Sequence, residues 1–142
     1  MQKQTIEEQW MAEALKLAHQ AAQIGEVPIG AVVVCDGQIV GRGFNRREID
    51  HNPLAHAEII ALQEASQTLG RWRLSGCTLY VTLEPCPMCA GALVNARVDR
   101  LVYAAKETKG RLNHEFETLS GILEAESAEI LRSFFQKLRV CK

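Results

Sequence analysis

The sequence predicts an α/β fold, a three-layer α/β/α sandwich on a five-stranded mixed sheet. Three observations carry this expectation. Helical and extended periodicities alternate along the chain in the order α-β-β-α-β-α-β-β-α. The extended stretches are short, apolar and β-rich, as buried strands are. No internal repeat or linker interrupts them, and 142 residues suit a single domain, 1–142, whose one core buries roughly two-thirds of the unfolded surface.

Residues 6–24 carry apolar side chains at Trp10, Met11, Ala14, Leu15, Leu17, Ala18, Ala21 and Ala22, a helical stripe. Thr5 is a suitable N-cap, Glu7 and Glu8 fall in the first turn, and Gly25 is a suitable C′ residue. Glu26-Val-Pro-Ile-Gly30 turns into a strand. Ala31–Cys35, the hairpin turn Asp36-Gly37 and the return Gln38–Phe44 form a β-hairpin. One face of this hairpin is expected to pack on the first helix. The polar stretch Asn45–Pro53 is a loop.

From His56 an apolar-periodic run (Ile59, Ile60, Leu62, Ala65, Leu69) reads as a second helix. Arg71–Gly76 connects it to the strand Cys77–Leu83, which Pro85 ends. Pro87–Arg97 reads as a helix with proline in its first turn, where the missing N–H costs nothing. Val98–Ala105 is a strand, Lys106–Arg111 a basic loop, and 115–119 a short strand. Residues 122–140 form a last amphipathic helix, with Ile122, Leu123, Ile130, Leu131, Phe134, Phe135 and Leu138 on its apolar side.

Composition narrows the function. Apolar content of 47% and charged content of 23% are ordinary for a soluble globular protein. No run is long enough to span a membrane, and residues 1–8 contain no apolar signal core. The five cysteines suggest no disulfide framework, so a reducing cytoplasm is expected. A net charge of −1 does not announce a nucleic-acid binder, so any polyanion site must come from local clusters.

The chemistry concentrates in Thr82-Leu-Glu-Pro-Cys-Pro-Met-Cys-Ala-Gly-Ala92 and in His56-Ala-Glu58. Cys86 and Cys89 have the spacing of two thiolates on one metal, and a tetrahedral zinc site needs two further ligands. With no second Cys-x-x-Cys, His56 is the natural third, and the fourth position stays open, as in catalytic rather than structural zinc sites. Both halves open helices, whose N-terminal dipoles favour thiolate. Taken separately, the halves also read as a redox Cys-x-x-Cys and a core histidine. His56 and Glu58 are two apart, so an ideal helix points them to different sides. Both reach one pocket only where a helix begins. Asn45 reads either as a turn residue or as a base reader, since an amide offers both donor and acceptor.

His-x-Glu followed about thirty residues later by Pro-Cys-x-x-Cys is the zinc nucleoside deaminase pattern. The chain resembles the bacterial tRNA adenosine deaminases, within the cytidine deaminase-like superfamily, over nearly its whole length. The resemblance rests on Glu26–Ala31, Gly43-Phe-Asn45, Ala55–Glu58, Leu79–Ala92, Gly121-Ile-Leu123 and Phe134-Phe135. It implies one Zn²⁺ per chain held by His56, Cys86 and Cys89, with Glu58 as proton shuttle. It implies a base pocket lined by Asn45, Ile29 and Ala57. The implied reaction is hydrolytic deamination of adenosine to inosine at the wobble position of a tRNA anticodon loop. A homodimer with residues 87–97 at its interface is also implied. Alternatives are a free-base or nucleoside deaminase of the guanine or cytosine type, and a non-catalytic zinc-binding module, for which Glu58 would have no use. One departure is the segment from Lys106 to Leu112, shorter than in the family.

Positive charge gathers at Arg46 and Arg47, at Lys106, Lys109 and Arg111, and at Lys137, Arg139 and Lys142. Each cluster reads either as solvated surface or as a grip on phosphates. The expected RNA-contacting positions are Arg46, Arg47, Lys106, Glu107, Lys109, Arg111, Phe135 and Arg139.

Overall fold

The first helix, α1 (Ile6–Gln23), starts at Thr5, whose hydroxyl accepts from the Glu8 N–H while the Glu8 carboxylate accepts from the Thr5 N–H. This reciprocal capping box satisfies two donors that a helix end leaves orphaned. The helix stops in a Schellman motif. Gly25 takes φ +81°, its N–H donates to the Ala22 carbonyl, and the Glu26 N–H donates to the Ala21 carbonyl.

A computed structural model describes residues 4–106 and 117–140. After α1 come β1 (Gly30–Cys35), β2 (Gln38–Phe44), α2 (Ala57–Leu69), β3 (Cys77–Leu83), α3 (Pro87–Asn95), β4 (Arg100–Ala105), β5 (Glu117–Ser120) and α4 (Glu124–Val140). This is the predicted order, and the strands form one mixed sheet in the order β2-β1-β3-β4-β5. β1 lies antiparallel to β2 and β3, whereas β3, β4 and β5 run parallel. The β1–β2 hairpin turns through Asp36 (φ 52°) and Gly37 (φ 72°), the doubly positive pair of a type I′ turn.

Period-two alternation assigns the two faces. Val32, Val34, Tyr80, Val102 and Ala104 pack with Met11, Ala14 and Leu17 of α1, and α4 lies on this same side, against β4 and α1. Ala31, Val33, Leu79, Val81 and Leu101 point the other way, onto Ala57, Ala61 and Ala65 of α2 and Leu93 of α3. The hairpin therefore packs on α1 with one face, as predicted, and on α2 with the other.

Most boundaries agree with expectation to within one residue, and three among the described residues differ by two. α3 ends at Asn95, two residues early, because Arg97 adopts φ +64°. Its N–H donates to Val94 and the Val98 N–H to Leu93, a second Schellman motif with arginine where glycine is usual. β4 consequently starts at Arg100. α4 starts at Glu124, because Gly121 (φ 84°) and Leu123 (φ 55°) turn the chain first. Its most buried described residue is Ser127, while Ile130, Leu131 and Phe134 are half-buried.

Close approach of α2 to the sheet depends on glycine. A Cβ on Gly43 would collide with the Ala57 carbonyl oxygen and press on the Ala61 amide nitrogen. Gly43→Ala must therefore push the first turn of α2 outward. Overpacking of this kind costs roughly 1–3 kcal/mol. Thermal unfolding of the variant is expected to show that loss, together with impaired metal binding, because the same turn carries His56 and Glu58.

Candidate metal centre and active site

The sheet register brings four chain segments to one edge. Gly30 pairs with Phe44 at the start of β1 and the end of β2, and Leu83 pairs with Ala105 at the C-terminal ends of the parallel strands β3 and β4. Ile29, Asn45, Glu84 and Lys106 therefore emerge together. Ligands bind outside the carboxyl ends of parallel strands in open α/β sheets, and here α2 and α3 also begin at that edge.

His56 is the N-cap of α2 and Cys86 the N-cap of α3, both in extended backbone conformation (ψ 154° and 168°). Neither side chain caps its own helix, and both turn toward a common point. His56 Nδ1 lies 3.6 Å from Cys86 Sγ and 3.5 Å from Cys89 Sγ. Zinc–sulfur bonds of about 2.3 Å and zinc–nitrogen bonds of about 2.0–2.1 Å at a tetrahedral angle place N and S about 3.6 Å apart. All three donor atoms lie within 4.8 Å of one another. The donor set fits a zinc ion in both chemistry and spacing. Cys89 is wholly buried, and Cys86 and His56 are half-buried, so the centre is walled on one side and open on the other.

Burial, then the nearby Glu58 and Cys86, pushes the Cys89 thiol well above its ordinary value when no cation is present. A metal ion reverses that balance, because a coordinating thiol is deprotonated outright. Cys77 is different in kind. Burial, followed by its cross-strand neighbour Cys35, pushes its thiol up to about 12, and it sits at the opposite end of β3. Cys35, Cys77, Cys86 and Cys89 are all free.

Glu58 is the second residue of α2 and only 4% exposed. Its carboxylate raises the Cys89 thiol by charge and by hydrogen bonding, which places it beside the metal donors. The extended backbone at His56 resolves the spacing problem: His56 stands outside the helix and Glu58 in its first turn, so both serve one pocket.

The Asn45 N–H donates to the Ile29 carbonyl at 3.1 Å, and the Gly43 backbone lies against the Ala57 carbonyl. Ile29, Asn45 and Ala57 are thus brought together. Asn45 is buried, and its Oδ1 accepts from the Arg47 N–H at 3.2 Å. It is a turn residue, and the turn orients the rest of its amide. The Arg46 guanidinium is engaged locally, donating twice to Asp50 at 3.0 and 3.1 Å and lying 5.6 Å over the Phe44 ring. Arg47 and Lys106 are exposed at the site edge. Phe135 is 41% exposed and packs edge-to-face on Phe134, and Arg139 falls in the last turn of α4. Glu107, Lys109 and Arg111 lie outside the described residues.

Two supports escaped the sequence reading. Thr82 Oγ1 accepts from the Gly30 N–H, and the Thr82 carbonyl accepts from the Ser127 hydroxyl, tying β1 and α4 to the strand that leads into Cys86. Glu26, read as a turn residue, is 1% exposed and accepts from the Glu48 and Ile49 N–H groups. Only a buried-polar pattern on α4 and a carboxylate beside Val-Pro hinted at either.

The sandwich and this donor set are together those of the cytidine deaminase-like enzymes. A family model for MafB19-like deaminases matches residues 6–139. The tRNA-specific adenosine deaminase of Bacillus subtilis (strain 168) is 48% identical over 148 aligned positions, covering 95% of this chain and 92% of its own length. A solved structure from studies of A-to-I editing by tRNA:A34 deaminases at the wobble position superposes with a TM-score of 0.82 at 43% identity, covering 87% of this chain and 99% of that one. A guanine deaminase from Nitrosomonas europaea superposes with a TM-score of 0.85 at 25% identity, covering 94% and 86%. The chain belongs to the family of the tRNA-specific adenosine deaminases. The 148 aligned positions exceed the 142 residues present here, so that relative carries residues this chain lacks.

Proposed function

We propose that residues 1–142 form one zinc-dependent domain that hydrolyses adenosine to inosine at the wobble position of a tRNA anticodon loop. The observation that carries this is the placement of His56 Nδ1 at equal reach of the Cys86 and Cys89 sulfurs, with the Glu58 carboxylate buried beside them. Zinc, when bound, supplies Lewis acidity that lowers the pKa of water from about 15.7 to about 7. Glu58 takes a proton from the attacking water and delivers it to N1 of adenine, which leaves C6 electrophilic. The water oxygen adds to C6. Glu58 next carries the proton of the hydroxyl now on C6 to the amine, the C6–N bond breaks as the C6 carbonyl forms, and adenosine and water become inosine and ammonia. Asn45, Ile29 and Ala57 hold the base, and the burial of Asn45 and Ala57, with Ile29 half-buried, limits the entry of bulk water.

Identity favours tRNA over a free base: 48% to the tRNA-specific relative against 36% to a guanine deaminase of Bacillus subtilis and 25% to the Nitrosomonas guanine deaminase. The discriminating assay compares inosine formation in an anticodon stem-loop with ammonia release from guanine or cytidine. Inosine is expected; turnover of a free base alone would overturn the reading.

A wobble base must leave its stack, at a cost of a few kcal/mol that is least in a single-stranded loop. The flanking phosphates are then gripped by Arg47, Lys106, Lys109 and Arg111, with Lys137 and Arg139 of α4 toward the stem. Replacing Lys106, Lys109 and Arg111 together by Gln is expected to shallow the slope of log K against log salt by up to about three units. Zinc content should stay unchanged. An unaltered slope would move the grip to α4.

An apolar groove of about 450 Å³ lies beside the centre, lined by Leu54, Ile59, Met88, Ala92 and Val94. Leu54 and Val94 are exposed, more apolar surface than α3 needs for its own core, and a second copy of the chain covers it in a homodimer. Sedimentation at micromolar concentration is expected to give twice the chain mass, and a monomer would contradict this. No described helix is long and apolar enough to cross a membrane, and with its free thiols the enzyme suits the cytoplasm, where tRNA is found.

A further inference from the structure

We propose that Glu26 is a positioning residue for the RNA substrate: its buried carboxylate clamps the 46–52 loop and so sets where Asn45 and Arg47 stand beside the metal centre. The proposal rests on the tRNA-deaminase reading above. A carboxylate only 1% exposed is costly to bury unless hydrogen bonds satisfy it. An ionised carboxylate is acceptor-only, and both oxygens of Glu26 are used: Oε1 accepts from the Glu48 N–H at 3.2 Å and Oε2 from the Ile49 N–H at 2.7 Å.

The loop has little else to hold it. Residues 47–54 are all exposed, so no apolar side chain anchors the apex. The Arg46–Asp50 pair and the Asp50-to-Arg46 and Asn52-to-Arg47 backbone bonds stay within the loop. The Arg46 N–H to the Ala55 carbonyl closes its neck. Among the described residues, the hydrogen bonds from the apex to the body of the molecule run to Glu26.

The base of the clamp is rigid. Glu26 follows Gly25 in the Schellman motif, with its own N–H fixed on Ala21, so α1 dictates where the carboxylate sits. Releasing the loop would free Arg47 and, through the Asn45 Oδ1 turn, the amide at the pocket wall. It would not displace His56, Cys86, Cys89 or Glu58, which α2 and α3 hold in the opposite core. The clamp therefore acts on substrate binding and not on the chemical step.

Glu26→Gln is nearly isosteric but offers one acceptor and turns a donor toward the second N–H. Loss of one hydrogen bond to a charged group corresponds to about tenfold or more in binding. Expected results are faster hydrogen exchange at the Glu48 and Ile49 amides and a KM for the anticodon stem-loop raised about tenfold, with kcat within about threefold. Zinc per chain should be unchanged. If Glu26→Gln fails to fold, Glu26→Asp, which keeps the charge but falls a methylene short, is read in the same way. Faster exchange with unchanged KM would overturn the proposal, as would a fall in kcat together with zinc. Wild-type protein without activity on the stem-loop would instead remove the tRNA reading, while amide exchange would still report the clamp.

Discussion

Glu58→Ala protein is expected to fold, to keep one zinc per chain, and to lose at least about 10²–10⁴-fold in turnover, the range that positioned acid–base groups supply. Folding survives because alanine is the best helix former, and the lost first-turn charge is worth only about 0.3–1 kcal/mol. The metal survives because its donors come from His56, Cys86 and Cys89. Turnover does not survive, because Glu58 is the buried carboxylate that acts on Cys89 by charge and hydrogen bonding, beside the metal donors. Cys89 is committed to the metal as a donor, and the Asn45 amide does not titrate. Single-turnover measurement of inosine formation, with zinc assayed on the same sample, checks this. Activity within a few-fold of wild type would assign the proton transfer to another group.

Cys89→Ser is expected to fail one step earlier, at the metal. A serine hydroxyl does not ionise readily at neutral pH, so the wholly buried corner of the site loses its anionic donor. Zinc should fall well below one per chain, and activity with it, as the pKa of water returns from about 7 toward about 15.7. Stability should drop too, because a bound metal adds about 2.7 kcal/mol when present at a hundred times its Kd. Cys86→Ser should behave alike. Cys77→Ser is the control: its thiol, pushed up to about 12, is protonated and far from the centre, so that variant keeps its zinc. Elemental analysis of the three purified proteins separates the cases, and zinc loss in Cys77→Ser would contradict the assignment.

The contrast between these cysteines was legible from spacing, as were β2 and β3 to the residue, because short extended runs bounded by Asp-Gly or proline admit few readings. The α1 cap was equally plain, since Thr5 and Glu8 have the capping-box spacing. Capping rules pass over His56 and Cys86, neither of which caps a helix with its side chain. Their metal chemistry marked those two helix starts instead. Arg97 closes α3 in a left-handed conformation without a glycine to announce it. Glu26 was opaque for another reason: its partners are backbone N–H groups more than twenty residues away, and backbone donors leave no trace in a sequence. Ser127 escaped because an apolar stripe on α4 was expected at its depth, whereas its hydroxyl reaches the Thr82 carbonyl. The Arg46–Asp50 pair was readable at i, i+4 spacing, and the charge count around Asn45 obscured it.

The central claim, that this pocket deaminates a wobble adenosine, is tested most directly by sequencing anticodon loops after wild-type protein is incubated with total tRNA isolated from cells lacking the activity. The account predicts that one or a few tRNAs with adenosine at the wobble position now read as guanosine there, and that Glu58→Ala protein leaves them as adenosine. Unchanged wobble adenosines with zinc-loaded, folded wild-type enzyme would contradict it.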